Sequence, residues 1–343
     1  MKLNLKQHFF AVGAIFIFSA LFIGSATTQK VNYAITSVAE EGGTQFSQIN
    51  NPEEENTVGT NVYSTGGSLV WDAAPTIDIS PDGEKIAYIQ SKNGVDNIYI
   101  RSAKGGTAVT QRTFSTVDLF GTSFSHDGKN ISFSDKKDNS YNIYQITSSE
   151  GASVQQITNT TSNELSPVYS PDDRYIYYTK EETELVNGIQ KSRYFIWSYD
   201  KDKSIHTQLI EGYSPSISPD GKNIIYTKSR QKDGKGEIWI MNIESGIPTL
   251  LMTSADKGFS TPQISPDGKR VLCVGSTNKS KNSPQNLDIY IFGIDGTGLT
   301  ELTFNPVHDF SPRWAPNGKE IFFISQRGSK KGKFSIWKMN FNK

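Results

Sequence analysis

Acidic residues that recur along this 343-residue sequence are the first candidates for chemistry. One lies ahead of each copy of a tetrapeptide repeated through the chain, and the six are Asp72, Asp118, Glu164, Glu211, Asp256 and Asp309. Carboxylates gathered around one opening could bind a cation or receive a basic segment of a partner protein. Paired carboxylates can also drive glycoside cleavage. Acidic residues on separate surface loops would do neither, so a function for these six depends on whether the strands and loops that carry them bring them together.

Aromatic side chains and one histidine accompany several of these acids. The candidate partner-binding residues are therefore the six acids together with Trp71, Tyr213, Phe259, His308 and Phe310. Aromatic rings offer flat apolar surfaces on which a sugar ring can stack. A carbohydrate-binding or carbohydrate-cleaving protein is thus the alternative to a protein that binds another protein.

Recognised catalytic and metal-binding motifs do not occur in the sequence. Of the four histidines, His8 lies in the N-terminal apolar region, His126 in a repeated turn and His206 at the start of an outer strand. His308 alone stands beside a candidate acid, which is too few for a multi-histidine metal centre. The single cysteine, Cys273, permits neither an intrachain disulfide nor a cysteine zinc site. No G-x-S-x-G elbow, P-loop or dinucleotide fingerprint is present, so the sequence predicts a non-enzymatic protein without cofactor or metal.

Charge and the N-terminal residues indicate the compartment. Lys and Arg total 35, equal to Asp and Glu, and this balance argues against binding to nucleic acid. Residues 1–7 carry Lys2 and Lys6, and the apolar run 9–23 that follows is short for a membrane span but typical of a signal peptide. Small residues at 24–26 predict cleavage after Ala26, with an uncleaved anchor as the alternative. We therefore expect a periplasmic or secreted protein with no membrane span after cleavage.

The repeated tetrapeptide is S-P-D-G or a close variant. Its third residues recur at intervals of 45 to 50 residues, the period of four-stranded propeller blades, and are Asp82, Asp127, Asp172, Asp220, Asp267 and Asn317. Proline presets the backbone, Asp bonds nearby amides and Gly accepts a positive φ, so the motif predicts a structural turn. The neighbours assigned the same structural role are Pro81, Gly83, Gly128, Pro171, Pro219, Gly221, Pro266, Gly268, Pro316 and Gly318.

Five of the six units contain four predicted strands, A to D. After the turn, an alternating pair such as Ile86 and Tyr88 marks strand B, and an Ile-aromatic pair such as Ile98-Tyr99 marks strand C. The sixth unit has no strand D, and residues 44–50 resemble the strand D of the second unit. We therefore predict an all-β, six-bladed propeller of four-stranded antiparallel blades over residues 44–343, closed by an N-terminal strand at about 44–50. Residues 1–26 are the predicted signal peptide and 27–43 an N-terminal extension.

The run S-P-D-G-K-x-I-x-Y/F, followed by x-I-Y/W, resembles the PD40 (WD40-like) repeat of the TolB C-terminal propeller. The resemblance covers about residues 44–343 and implies a periplasmic propeller. TolB also carries an α/β domain ahead of its propeller, where this chain has only residues 27–43 after the predicted signal. A place in the Tol-Pal envelope complex, with binding of the peptidoglycan-associated lipoprotein, is therefore implied for the propeller half only.

Topology assigns the connections to two faces. In an up-and-down blade the A-B and C-D turns share one face, here called the turn face, and the B-C and D-A connections share the other, the long-loop face. Blades three and five have enlarged B-C connections at residues 181–193 and 276–286. Binding residues are concentrated on variable loops held by a rigid scaffold. We therefore predict that a monomer binds an envelope protein or peptide on its long-loop face.

Overall fold

The computed structural model describes residues 38–41, 44–49, 63–65, 68–70, 77–92, 95–137, 139–149, 153–277, 286–328 and 334–341. The predicted signal peptide and the candidate residues Trp71 and Asp72 lie outside this set. Within it, no helix is long and apolar enough to cross a membrane.

The strands are numbered in chain order, and two short pairs precede the blades. These pairs are β1 (Val38–Glu41) with β2 (Thr44–Gln48), and β3 (Tyr63–Thr65) with β4 (Ser68–Val70). Blades one to three comprise β5 (Ile77–Ile79), β6 (Lys85–Lys92), β7 (Val95–Ser102), β8 (Val109–Gln111), β9 (Leu119–Phe124), β10 (Asn130–Lys137), β11 (Ser140–Thr147), β12 (Val154–Gln156), β13 (Glu164–Tyr169), β14 (Tyr175–Val186), β15 (Ile189–Asp200) and β16 (Ile205–Glu211). Blades four to six comprise β17 (Tyr213–Ile217), β18 (Asn223–Ser229), β19 (Gly236–Asn242), β20 (Pro248–Met252), β21 (Lys257–Ile264), β22 (Arg270–Thr277), β23 (Asn286–Gly293), β24 (Thr300–Glu301), β25 (Asp309–Trp314), β26 (Glu320–Ser325) and β27 (Ser335–Asn340).

The blades are antiparallel sheets of consecutive strands. The first five each contain four strands, from β5–β8 through β21–β24, and each strand pairs with its neighbours in sequence. The sixth joins β25, β26 and β27 to strands from the N-terminal end of the chain. The six-bladed, all-β fold predicted from the repeats is therefore confirmed.

An N-terminal strand closes the ring. β2 pairs antiparallel with β27 through Phe46 opposite Met339 and Gln48 opposite Trp337. The Ile49 amide donates a further hydrogen bond to the Ile336 carbonyl at 2.8 Å. Closure by this strand removes the unpaired edge that β27 would otherwise present. The structure also adds β1 outside β2, so the sixth blade has five strands, one more than the sequence predicted.

The core lies between neighbouring blades. Strand B presents one residue at the same position of every blade, and all six are buried: Tyr88, Phe133, Tyr178, Tyr226, Cys273 and Phe323. One cluster shows the pattern, since Ile89 and Ile98 of blade one pack with Phe124 and Phe133 of blade two. Apolar burial between blades therefore joins each sheet to the next.

Candidate functional site

The repeated turns are built by local hydrogen bonds. In the first, the Ser80 hydroxyl donates to Asp82 Oδ1 at 2.5 Å, and the same oxygen accepts the Glu84 amide at 2.9 Å. The Gly83 amide donates to the Ser80 carbonyl at 2.8 Å, with a φ of 73° at Gly83. In the second turn the corresponding bonds lower the pKa of Asp127 to about 2, the Lys129 amide contributing most. The tetrapeptide thus has the contacts of a structural turn.

A cavity of about 370 Å³ opens at the centre of the turn face. Every blade contributes one residue of its repeated turn to the lining: Pro81, His126, Pro171, Pro219, Pro266 and Pro316. Every blade also contributes the second-to-last residue of its strand A, and these residues are Asp78, Ser123, Val168, Ser216, Gln263 and Arg313. The composition of this second ring differs from blade to blade, so it can distinguish between ligands.

A bulge in strand A precedes the second ring in most blades. The A-B pairing shifts register there in blades two to six. The bulged residue has a positive φ in each case, and these residues are Gly121, Ser166, Ser214, Thr261 and Ser311. In four of the five blades a proline follows, as in Ser166-Pro167, and proline without an amide hydrogen suits a bulge on an inner edge. Left-handed conformations at serine and threonine cost free energy and are concentrated at functional sites.

One side of the cavity is charged. Arg313 Nε lies 3.5 Å from Asp78 Oδ1, joining blade six to blade one, and also donates to the Ile77 carbonyl at 3.1 Å. The Phe124 amide of blade two donates to Asp78 Oδ2 at 2.7 Å. Burial raises the pKa of Asp78 although the Arg313 charge opposes it, and burial lowers the pKa of Arg313. A charged or strongly polar group of a ligand would be placed at this side.

The opposite side is largely apolar. Val168 and Ile217, both half-buried, line it together with the rings of Pro171 and Pro219. Such a surface takes up aliphatic or aromatic groups by removing them from water. The cavity therefore suits an occupant that is polar at one end and apolar at the other.

Contacts between successive turns link most of the turns around the cavity mouth. At four junctions the glycine of one turn packs against the proline ring of the preceding turn, where a Cβ atom would lie 3.6 to 4.0 Å from the proline. The pairs are Gly83 with Pro316, Gly128 with Pro81, Gly221 with Pro171, and Gly318 with Pro266. Van der Waals contact thus links turns that are one blade apart.

The junction between blades two and three uses a different contact. His126 replaces the proline and therefore has an amide hydrogen, while Asp173 replaces the next glycine at a φ of 58°. The Asp173 carboxylate accepts the His126 amide at 2.6 Å and the Asp127 amide at 2.8 Å. Two coordinated substitutions have exchanged an apolar contact for charge-assisted hydrogen bonds.

This exchange predicts strong coupling between positions 126 and 173. His126→Pro removes one amide donor to Asp173, and Asp173→Gly removes both of its accepted bonds while relieving the left-handed backbone. We expect the double variant His126→Pro/Asp173→Gly to have a higher free energy of unfolding than the sum of the two single-variant changes predicts, by about 1 kcal/mol or more. Urea unfolding of the four proteins measures the coupling. Additive effects would contradict the exchange.

Comparison with known proteins places the fold in a family. Residues 73–190 and 185–343 match the TolB beta-propeller domain known as PD40. The chain belongs to the PD40 TolB beta-propeller family. An uncharacterised protein of Agrobacterium fabrum is 27% identical over 146 residues, which are 40% of this chain and 49% of that protein. The chain thus spans about half the length of this curated relative.

Solved structures share the propeller. TolB from Acinetobacter baumannii is 25% identical, with a TM-score of 0.56 over 72% of this chain and 58% of that one. An oligogalacturonate lyase from Vibrio parahaemolyticus is 12% identical, with a TM-score of 0.57 over 89% and 95% of the two chains. The likeness to the lyase shows the fold alone.

Two of the six candidate acids of this PD40 propeller, Glu164 and Asp309, are buried and paired within their own blades. Glu164 accepts the Thr160 hydroxyl at 3.0 Å and lies 3.7 Å from Lys180 Nζ. Asp309 lies 2.6 Å from Arg327 and accepts the Asn305 amide group at 2.9 Å. Burial raises the pKa of both carboxyl groups, against the effect of these partners. Both acids therefore anchor loops in the interior.

The remaining described acids have different surroundings. Glu211 bonds Arg193 at 3.1 Å and lies 3.3 Å from Lys228, and Asp256 is exposed. Asp118 is half-buried. Burial of Asp96 and the nearby charge of Asp118 together raise the pKa of Asp96 to about 6. Among the described residues, no three His, Cys, Asp or Glu side chains are grouped to hold a metal ion.

The prediction of exposed aromatic rings is wrong for Phe259 and Phe310. Phe259 is fully buried with its ring edge-on to Tyr290 at 5.9 Å, and Phe310 is buried against Phe334 at 5.2 Å. Both belong to strand A, whose apolar side chains pack between blades. Tyr213 is half-buried and packs against Tyr194 at 5.9 Å. His308 is half-buried, and burial lowers its pKa.

The strand A residues that line the cavity were not among the candidate residues predicted from the sequence. The signal was present as Ser-Pro or Thr-Pro a few residues ahead of each later turn, as in Ser214-Pro215 and Thr261-Pro262. The residue after each such proline lines the cavity, as Ser216 and Gln263 do. The sequence instead favoured the long-loop face, at the opposite end of strand A.

Proposed function

We propose that this protein is an exported, non-enzymatic PD40 propeller that binds a segment of an envelope protein at the turn-face cavity. The signal peptide predicted over residues 1–26 would deliver it to the periplasm or beyond. By resemblance to TolB, the first partner to test is a peptidoglycan-associated lipoprotein.

The cavity is the observation that carries the proposal. Its volume of about 370 Å³ falls in the range of specific ligand sites, and all six blades contribute to its lining. It lies on the turn face, opposite the long-loop face that the sequence favoured. The proposed binding surface is therefore moved to the turn face.

The lining favours a peptide segment as the occupant. The Asp78–Arg313 pair can exchange hydrogen bonds with backbone or polar groups, while Val168 and Ile217 accept an apolar side chain. A peptide carries both kinds of group at short spacing. The prolines around the mouth restrict the turns, so the site is preorganised and binding needs little ordering of the receptor.

The positions of the proposed catalytic carboxylates argue against the carbohydrate-active alternative. Glu164 and Asp309 are buried and paired with Lys180 and Arg327, so neither carboxylate is presented to a sugar. The proposed stacking rings Phe259 and Phe310 are buried as well. The polypeptide-binding role therefore agrees better with the positions of these groups.

Filling the cavity should abolish binding. Ser216→Trp places a large ring among the lining residues, and we expect at least a roughly tenfold weaker affinity for the purified soluble domain of the peptidoglycan-associated lipoprotein. Isothermal titration calorimetry measures the change. Ser149→Trp is the matched control, because Ser149 is exposed on an outer turn of the same face and does not line the cavity.

Two results would count against the proposal. Equal affinity of the Ser216→Trp variant and the unaltered protein would place the partner elsewhere. Release of reducing ends from polysaccharides by the purified protein would overturn the non-enzymatic role.

A further inference from the structure

Arg313 is the permanent positive charge of the turn-face cavity. Its side chain is buried, with the residue 7% exposed, and arginine keeps its charge at neutral pH even when buried. The other basic side chain among the described lining residues is His126, whose Nδ1 lies 3.7 Å from Asp173 at the cavity mouth. An anionic group that enters the cavity is therefore attracted chiefly to Arg313.

The guanidinium of Arg313 is incompletely paired within the protein. Its Nε donates to the Ile77 carbonyl at 3.1 Å, and its Nη1 donates to the Pro312 carbonyl at 3.4 Å, which is long for a hydrogen bond. In the described part of the chain, Nη2 takes part in no hydrogen bond. Nη2 is nevertheless not sealed inside the protein, so its N–H groups can reach an acceptor in the cavity that Arg313 lines.

Asp78, the one acid among the described lining residues, already faces donors of the protein. Its Oδ2 accepts the Phe124 amide at 2.7 Å, and its Oδ1 lies 3.5 Å from Arg313 Nε. Asp78 is therefore the more engaged partner, whereas the end of the guanidinium formed by Nη1 and Nη2 is not occupied by a carboxylate. The pair is better suited to receive a carboxylate from a ligand than a cation.

The wall opposite Arg313 limits which carboxylates fit. Blade three lies across the ring from blade six, and its Val168 lines the cavity together with Ile217 of blade four. An apolar side chain placed there is removed from water. A carboxylate carried close to an aliphatic or aromatic group matches both walls, whereas a carboxylate among polar groups matches only one.

We propose that Arg313 binds a carboxylate of the partner peptide, carried beside an apolar side chain that lies against Val168 and Ile217. This inference rests on the proposed function, because it names the group of the peptide that enters the turn-face cavity. The carboxylate is either the C terminus of the peptide or the side chain of an acidic residue. Both sources form the same paired hydrogen bonds with a guanidinium, here with Nη1 and Nη2.

Matched dipeptides test the carboxylate without the partner protein. N-acetyl-alanyl-leucine and its C-terminal amide test a terminal carboxylate, and the amides of N-acetyl-glutamyl-leucine and N-acetyl-glutaminyl-leucine test a side-chain carboxylate. In ligand-observed NMR titrations of the mature protein, we expect at least one acid to bind about tenfold or more tightly than its neutral counterpart. The pair that shows the difference identifies the source of the carboxylate. Equal affinities within both pairs, or no binding of either acid, would overturn the inference.

Substitutions at Arg313 and Asp78 should act in opposite directions. Arg313→Gln removes the cation, so the acid should lose its advantage over the neutral dipeptide. Asp78→Asn removes the negative charge that competes for Arg313, so the acid should bind several times more tightly, and weaker binding of the acid would contradict the inference. Because Arg313→Gln leaves a buried carboxylate unpaired, Arg313→Met/Asp78→Leu replaces the pair as a whole, and it should fold but bind acid and amide alike.

Arg174 provides the matched control. It pairs with Asp200 at 2.8 Å on the same face but does not line the cavity, so Arg174→Gln should leave the preference for the acid unchanged. The result is separable from that of the proposed function. If the lipoprotein domain binds and Ser216→Trp abolishes that binding, while acids and amides bind alike, only the carboxylate is wrong. If the acids bind through Arg313 and that domain does not bind, the carboxylate site stands and its partner is a different protein.

Discussion

Replacing Arg327 with methionine is expected to lower the free energy of unfolding by about 3–5 kcal/mol. The guanidinium lies 2.6 Å from the buried Asp309 carboxylate and 4.0 Å from the centre of the Phe46 ring on the closing strand. Methionine keeps much of the apolar contact but leaves a buried carboxylate without its cation. Urea unfolding at neutral pH measures the loss.

The pH dependence of this loss identifies its cause. Burial already raises the pKa of Asp309, and without Arg327 that pKa would rise further. A raised folded-state pKa favours folding below the unfolded-state value and disfavours it as pH rises through the folded-state value. The stability gap between Arg327→Met and the unaltered protein should therefore narrow on acidification and widen toward neutral pH.

Two further variants serve as controls for Arg327. Arg327→Met/Asp309→Leu should recover much of the loss, because a buried pair replaced as a whole costs little. Arg230 occupies the corresponding position of blade four but pairs at 2.7 Å with the partly exposed Asp233, so Arg230→Met should cost only about 1 kcal/mol. Equal losses at positions 230 and 327 would contradict the role of the buried charge.

Phe46→Ala is expected to cost about 3–5 kcal/mol for a different reason. The ring is fully buried, packs edge-on against Phe323 at 5.9 Å and belongs to β2, which closes the sixth blade. Its removal leaves a cavity where the two ends of the described propeller meet. Thermal and urea unfolding measure the effect, and faster hydrogen exchange of β27 amides would locate it at the closure.

Gln45 provides the control for Phe46. It precedes Phe46 on the same strand and is exposed, so Gln45→Ala should change stability by no more than about 0.5 kcal/mol. A similar small effect of Phe46→Ala would mean that β2 contributes little to closure.

The repeat made most of the fold predictable. Each turn is held by hydrogen bonds among its own residues, such as Ser80, Asp82 and Gly83, so its conformation can be predicted from the local sequence. The alternation after each turn likewise marked the buried strand B residues, from Tyr88 to Phe323. The closing strand could be found because residues 44–50 resemble an outer strand elsewhere in the chain.

The candidate site was less predictable because several blades build it together. Asp78 and Arg313 are 235 positions apart in sequence and meet only because closure places blades one and six side by side. Phe259 and Phe310 looked like surface rings, since a short sequence pattern does not show which neighbouring blade covers a side chain. The bulges of strand A, which lead into the cavity lining, depend on the curvature of the assembled sheets.

By itself the sequence determined the number of blades, the turns, the order of the strands and the family, because each depends on interactions within about one repeat. The tertiary structure alone decided that the central cavity opens on the turn face and that Glu164 and Asp309 anchor loops. It also decided that Asp173 compensates for His126 one blade away. The cavity and the contact between Asp173 and His126 arise where different repeats meet, and contacts between repeats leave no period in the sequence.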